Sequence, residues 1–372
     1  MNRKQRRATA KGTRSRGEAN APRNAADDVV AKAIKAAQLG VFADAEAALD
    51  EVLARFPDHV EALHQKGMLM ARTGQVEAGI PLLRRATAAK PGEALYWNNL
   101  AAACLTIEWS EEALGAARKA VEIDPAYAMA WRNLAMAQTD LGRHRDACDA
   151  LEKASALAPK DAEIWGRLGL ARLALDDVAR AEVAFARAVA LEPANVSWLG
   201  NLGALLVKGG RVQEALPHLE RAVALAPDNF AAALHCGIAS TLAGDHAKGL
   251  RWLRRATSIQ PRSDAAWAAL ADAAAAAGDQ AEALDAARRA AEFAPADPAH
   301  RTRLQRLQPG GAGPDPAHRT RLQRLQPGGA ATQDGLIDLV IGNVSLSQVD
   351  KPRADEPQGI DLSRSLDRIF IG

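Results

Sequence analysis

Residues 128–161 read AMAWRNLAMAQTDLGRHRDACDALEKASALAPKD, and the same outline returns every 34 residues along the chain. Its last proline, Pro159, belongs to a series of eight: Pro57, Pro91, Pro125, Pro159, Pro193, Pro227, Pro261 and Pro295. Only 18 of 372 residues are proline, so seven equal intervals mark a built-in period. A period of this length is one helix–turn–helix unit, and such units stack into a solenoid with no single closed core. Length alone would allow two ordinary globular domains; the repeat overrides that prior.

Counted so that the proline is position 32, the repeats begin at Ala26, Val60, Ala94, Ala128, Ala162, Val196, Phe230 and Asp264. Position 8 is then Ala33, Gly67, Ala101, Ala135, Gly169, Gly203, Gly237 and Ala271, small throughout. Position 20 is small throughout as well, from Ala45 and Gly79 to Gly249 and Ala283. Two antiparallel helices approach closely only where neither carries bulk, so these columns mark their crossing. Large residues fill complementary columns: Trp97, Trp131, Trp165 and Trp267 at position 4, leucines at 7, and Leu49, Leu83, Leu151, Phe185, Leu219 and Leu253 at 24. Positions 4, 7, 8 and 11 share one stripe of the first helix, and 20, 24 and 27 one stripe of the second. Each position-4 indole is expected to bury against the neighbouring hairpin, where Trp→Ala would cost about 3–5 kcal/mol.

Punctuation is equally regular. Gly40, Gly74, Gly142, Gly210, Gly244 and Gly278 share position 15, where glycine ends the first helix in a left-handed conformation. The proline at 32 stops the second helix, because it lacks a donor and restricts its predecessor. Pro81 and Pro217 fall early in second helices and are expected to bend them.

The period, the small columns, Trp at 4 and Pro at 32 together resemble the tetratricopeptide repeat family over residues 26–297. The resemblance implies an all-α fold: a right-handed α-solenoid of eight 34-residue helix–turn–helix repeats, with first helices lining a concave groove. Residues 298–308 read as a C-terminal capping helix, with Asp297 as its cap, Pro298 in its first turn, and Leu304 and Leu307 on one side. Residues 297–312 then recur identically as 315–330, at a spacing of 18, inside a Gly/Pro linker that spans 309–330. Only one copy can occupy the end of the solenoid. Residues 331–372 read as a mostly disordered tail with two apolar islands, at 336–341 and at Leu362, Leu366, Ile369 and Phe370.

The formal charge of +2 hides an asymmetry. Residues 1–25 hold eight basic side chains and one acid, for +7, so the remainder sums to −5. The arm reads as a disordered basic tail, with electrostatic tethering to an anionic partner as the alternative. Its opening is not followed by an apolar run, so no secretory signal is expected, and no stretch suggests a membrane span. Cys104, Cys148 and Cys236 fall at unrelated spacings and read as reduced core thiols, which with the rest points to a cytoplasmic protein. The Ala/Arg/Gly bias suggests a bacterial source.

Catalytic constellations are not found. The sequence has no His-Glu-x-x-His pair, no Cys-x-x-Cys, no Walker loop and no nucleophile elbow, so neither enzyme, metal nor cofactor is expected. The candidate site is instead the inner wall. If the first helix buries 4, 7, 8 and 11, then positions 5, 6 and 9 face the groove. These columns contribute His64, Gln65, Met68, Asn98, Asn99, Arg132, Asn133, Met136, Arg167, Asn201 and His235 as candidate peptide-binding residues. Side-chain amides offer a donor and an acceptor to any extended backbone, and arginines favour carboxylates. Asn99, Asn133 and Asn201, each followed by Leu-Ala or Leu-Gly, are similar to the asparagine ladder of the tetratricopeptide arm of O-linked N-acetylglucosamine transferases. That likeness implies grip on a protein backbone; Arg167 and Ala269 depart from it. The alternative is that asparagine is simply a tolerated exposed residue there. The carboxylate clamp of chaperone-binding members is not reproduced.

The opening Met-Asn-Arg-Lys-Gln-Arg-Arg-Ala also resembles that of bacterial tetratricopeptide–glycosyltransferase fusions, but too few residues follow the repeats for a catalytic domain. The expected role is a scaffold that binds extended peptides or partner helices, with an accessory arm of a glycosyltransferase system as the alternative. Nucleic acid is disfavoured as a partner, and the oligomeric state is left open.

Overall fold

The computed structural model describes residues 25–308. The basic arm up to residue 24, the linker with the second copied segment, and the tail lie outside the described residues. Two compact units divide the chain after Pro159. In the N-terminal unit, helix α1 spans 25–38 and is followed by α2 (Phe42–Arg55), α3 (Val60–Arg72), α4 (Val76–Ala89), α5 (Ala94–Thr106), α6 (Ser110–Ile123), α7 (Ala128–Asp140) and α8 (His144–Leu157). The C-terminal unit holds α9 (Ala162–Ala174), α10 (Val178–Leu191), α11 (Val196–Lys208), α12 (Val212–Leu225), α13 (Phe230–Leu242), α14 (His246–Ile259), α15 (Asp264–Ala277), α16 (Gln280–Phe293) and α17 (Pro298–Leu307). In each unit the architecture is a right-handed α-solenoid of tandem hairpins, one per repeat; α17 caps the second.

The crossing inside each hairpin lies where the small columns place it. A Cβ added to Gly169 would stand 2.7 Å from the Phe185 ring, and one on Gly203 2.5 Å from Leu219. Position 8 thus receives the position-24 side chain of its own hairpin. Gly249, at position 20, meets Thr241 and the Gly237 carbonyl in the same way.

Turns follow from backbone sterics. The six position-15 glycines have φ between 71° and 89°. Hairpins three and five lack glycine there, and Glu108 and Asp176 adopt the same left-handed conformation at φ 60°. Asp177 then caps α10, and Asp161, Asn195, Asn229 and Ser263 cap first helices. Each second helix ends two residues before its proline, because the residue preceding proline avoids helical geometry. Pro81 and Pro217 sit in the second turns of α4 and α12, which continue past them.

The position-4 tryptophans correct the sequence reading. Trp97, Trp131, Trp165 and Trp267 are half-buried. The indole N–H groups of Trp97, Trp131 and Trp267 donate to the carbonyls of Pro91, Pro125 and Pro261, at 2.8–2.9 Å. Lys153 and Arg289 lie over the rings of Trp131 and Trp267, 4.3 and 4.5 Å from their centroids. These indoles therefore clamp the loop from the preceding hairpin. The fully buried indole is Trp198, at position 3.

On the second helices, ion pairs tie neighbours at one register. Arg84 forks onto Glu112 at 2.6 and 2.7 Å, and Arg254 onto Glu282 at 2.7 and 2.8 Å. First helices of successive hairpins touch (α3 with α5, α5 with α7, α11 with α13, α13 with α15), whereas successive second helices approach less closely. First helices therefore form the inner side of each unit.

Candidate functional site

Contact between neighbouring first helices decides what happens to the candidate columns. The sequence places positions 5 and 6 on an open wall; in the structure most are covered by the adjacent hairpin. Asn98 and Asn133 are completely buried, and His64, Asn99, His235 and Arg132 are between 2 and 5% exposed. Met68 is buried as well, while Gln65, Met136, Arg167 and Asn201 are half-buried and reach solvent.

In the N-terminal unit the buried amides bond to one another. Asn133 Nδ2 donates to Asn98 Oδ1 (2.9 Å), Asn98 Nδ2 to Asn99 Oδ1 (3.2 Å), and Asn99 Nδ2 to His64 Nε2 (3.0 Å). The chain crosses three hairpins with every donor pointing the same way. Because His64 Nε2 accepts, its proton sits on Nδ1, on the side of Glu61 at 3.9 Å. Glu61 also accepts from Gln65 (2.8 Å) and from the Tyr96 hydroxyl (2.7 Å). His64 beside it, helped by Gln65 and Tyr96 against the effect of burial, holds the Glu61 carboxyl down to about 2. Burial first, then Glu61, pushes the Tyr96 hydroxyl upward. Tyr96 completes the cluster by packing on the His64 ring, 4.3 Å between centroids.

In the C-terminal unit the same columns behave differently. Arg167 pairs with Glu163 at 2.7 Å, one turn away on its own helix. Trp198 lies against Gly166, whose added Cβ would meet the indole at 2.4 Å. His235 has no bond at either ring nitrogen, and burial pushes its imidazole down to about 4. Sequence reasoning did not single out Glu61, Tyr96, Tyr127, Gly166 or Trp198. The available signal was an aromatic at position 3 (Tyr96, Trp198) facing position 5 of the preceding repeat (His64, Gly166).

Among the described residues, Asp264, Asp297 and His300 are the acid and imidazole groups close enough to share an ion. The ring is already committed. Arg303 can only donate, so His300 Nδ1 accepts from it at 3.0 Å, and Nε2 carries the proton that it gives to Asp264 at 3.0 Å. No lone pair is left for a metal, and the group serves to seat α17. No described helix is long and apolar enough to cross a membrane.

A tetratricopeptide repeat family model matches residues 30–94, 64–128, 107–162, 132–197 and 201–264. No curated protein matches this chain in sequence. Among solved structures, the Cut9–Hcn1 hetero-tetramer of the APC/C is 17% identical with a TM-score of 0.53, over 72% of this chain and 53% of that chain. This chain thus spans about half the length of that relative. PilF of Pseudomonas aeruginosa is 22% identical with a TM-score of 0.51, over 55% of this chain and 93% of that one. A tetratricopeptide repeat protein from Parabacteroides merdae is 13% identical with a TM-score of 0.50, over 66% and 98%. At these identities the likeness is one of fold. Repeat period, crossing columns, helix pairing and family match agree, and the chain belongs to the tetratricopeptide repeat family, whose typical role is that of a protein–protein interaction scaffold.

Proposed function

We propose that the inner side of the first helices holds an extended peptide or a helix of a partner protein. The observation that carries this is the polarity of positions 5 and 6. Hairpin eight fills them with Ala268 and Ala269, so the fold itself does not require polar groups there. Hairpins two to four nevertheless bury His64, Asn98, Asn99, Arg132 and Asn133, at a desolvation cost that alanine would avoid. The linked amides fix the relative position of three first helices. The half-buried Gln65, Met136, Arg167 and Asn201 are the members able to touch a partner, Gln65 and Met136 in one unit and Arg167 and Asn201 in the other. Methionine suits an adaptable apolar contact, and Gln65 supplies backbone-directed hydrogen bonds.

A ladder of free asparagines is not the basis of this reading, since the amides of Asn98, Asn99 and Asn133 meet each other. Of Asn99, Asn133 and Asn201, which carry the likeness to the arm of O-linked N-acetylglucosamine transferases, Asn201 is the one that reaches solvent, so this reading does not rest on that likeness. Free, buried Cys104, Cys148 and Cys236 suit a reducing compartment, so a cytoplasmic setting is part of the proposal.

The test is affinity capture followed by direct binding measurement with the partner obtained. Met136→Glu and Gln65→Ala should lower affinity at least tenfold with the helical content unchanged. A partner held equally well by both variants would remove the inner side from consideration.

A further inference from the structure

Helix α17 is seated by a specific set of bonds. Arg303 forks onto Asp272 of α15 at 3.0 and 3.1 Å, with both side chains at most 10% exposed. Arg306 adds a third bond to Asp272 at 3.0 Å, and His300 donates to Asp264. Leu307 is 5% exposed, and its carbonyl accepts from Gln280 of α16 at 2.6 Å. The receiving half of this joint, Asp264, Asp272 and Gln280, belongs to hairpin eight alone.

The inserting half exists twice. Residues 315–330 repeat 297–312 without a single change, so His318, Arg321, Arg324 and Leu325 stand where His300, Arg303, Arg306 and Leu307 stand in the first copy, and Asp315 stands for the capping Asp297. Nothing in the recognised chemistry distinguishes one segment from the other. What distinguishes them is the tether. Three residues, 294–296, join the end of α16 to the first copy, whereas 21 residues, 294–314, would precede the second. Loop closure disfavours the longer tether by the length ratio to the three-halves power, roughly twentyfold.

We propose that the cap site on α15 and α16 is shared by two interchangeable segments of this one chain, 297–308 and 315–326, the second seating itself when the first is displaced or damaged. The first copy holds the site in the intact protein because its tether is short. Damage to it is buffered: however severe the lesion, occupancy of the site falls by no more than the tether penalty.

Hydrogen exchange of α15 and α16 reads the seated fraction. In the full chain, Arg303→Glu should lower their protection at most about twentyfold, while amides in 315–326 become slow to exchange. A chain lacking residues 297–314 places Asp315 directly after Ala296 and so keeps the same joint with one copy. There Arg321→Glu leaves Asp272 facing an acid with no replacement, and protection should fall roughly a hundredfold or more. The full chain carrying both Arg303→Glu and Arg321→Glu should behave like that one-copy variant. If the one-copy variant unfolds while the two-copy Arg303→Glu chain stays folded, the same conclusion holds in stronger form. Equal losses in the one- and two-copy backgrounds, or no new protection in 315–326, would overturn the proposal. Protection of 315–326 that grows with protein concentration would overturn it too, by assigning the segment to a second chain.

Discussion

His235 gives the sharpest quantitative test of the packing described for the C-terminal unit. It lies at position 6 of hairpin seven, 3% exposed, with both ring nitrogens unbonded. Burial alone pushes its imidazole down to about 4 from 6.5. A depressed imidazole means that the unfolded chain takes up this proton first as pH falls. Stability is therefore undisturbed above about pH 6.5 and declines from there toward pH 4. At pH 5 the unfolded ring is almost wholly charged and the buried ring almost wholly neutral, a difference worth about 2 kcal/mol relative to pH 8. The loss levels out near 3 kcal/mol below pH 4. His235→Leu keeps the side chain bulky and removes the titration. Urea unfolding of parent and variant at pH 8 and pH 5, followed by tryptophan emission, isolates the effect, because every other titrating group is common to both. The variant should gain about 2 kcal/mol on the parent over that interval. A gap between the two proteins that does not change with pH would show that His235 is hydrated or bonded, contrary to the structure.

Four further outcomes are expected. Glu108→Gly and Asp176→Gly should each raise stability by about 0.5–1 kcal/mol, the relief of a left-handed φ less the entropy of glycine, seen as a higher urea midpoint. Gly169→Ala should cost about 1–3 kcal/mol because its methyl group meets the Phe185 ring, whereas Gly115→Ala, with nothing within 4 Å, should stabilise by up to about 1 kcal/mol. Trp267→Phe should lose about 1 kcal/mol with its bond to the Pro261 carbonyl; an unchanged thermal midpoint would count against the loop clamp. Asn98→Ala strands Asn133 Nδ2 and Asn99 Oδ1 and should cost about 1–3 kcal/mol, more than Asn201→Ala at its half-buried site.

The architecture was legible because a repeat states its constraints eight times. Position 8 against position 24 could be read from size alone, since the geometry of one hairpin fixes it. Position 15 was legible in six repeats, and in the other two the backbone kept its conformation with Glu108 and Asp176 in place of glycine. The fate of Trp97, Trp131 and Trp267 was not legible. Their stripe points inward, but each indole lies near the incoming loop, whose Pro carbonyl gives the ring nitrogen a partner at the surface. The inner wall was misjudged for a related reason. A helical wheel treats one hairpin in isolation, whereas Asn98, Asn99 and Asn133 lie where first helices of neighbouring hairpins meet, a contact between repeats rather than within one.

The one-way run of bonds from Asn133 to His64 couples the orientations of its members across the N-terminal unit. Were the ring proton of His64 on Nε2 instead of Nδ1, it would face the amide hydrogens of Asn99, so that side chain must rotate by half a turn to offer its oxygen. Asn98 must then rotate in response, and Asn133 after it, with the Tyr127 hydroxyl turning to suit. At the far end the lone acceptor of Asn133 becomes a donor. Three amides therefore toggle together, like a row of switches on one rod, and the tautomer of one imidazole fixes the hydrogen-bond sense of a side chain two repeats away.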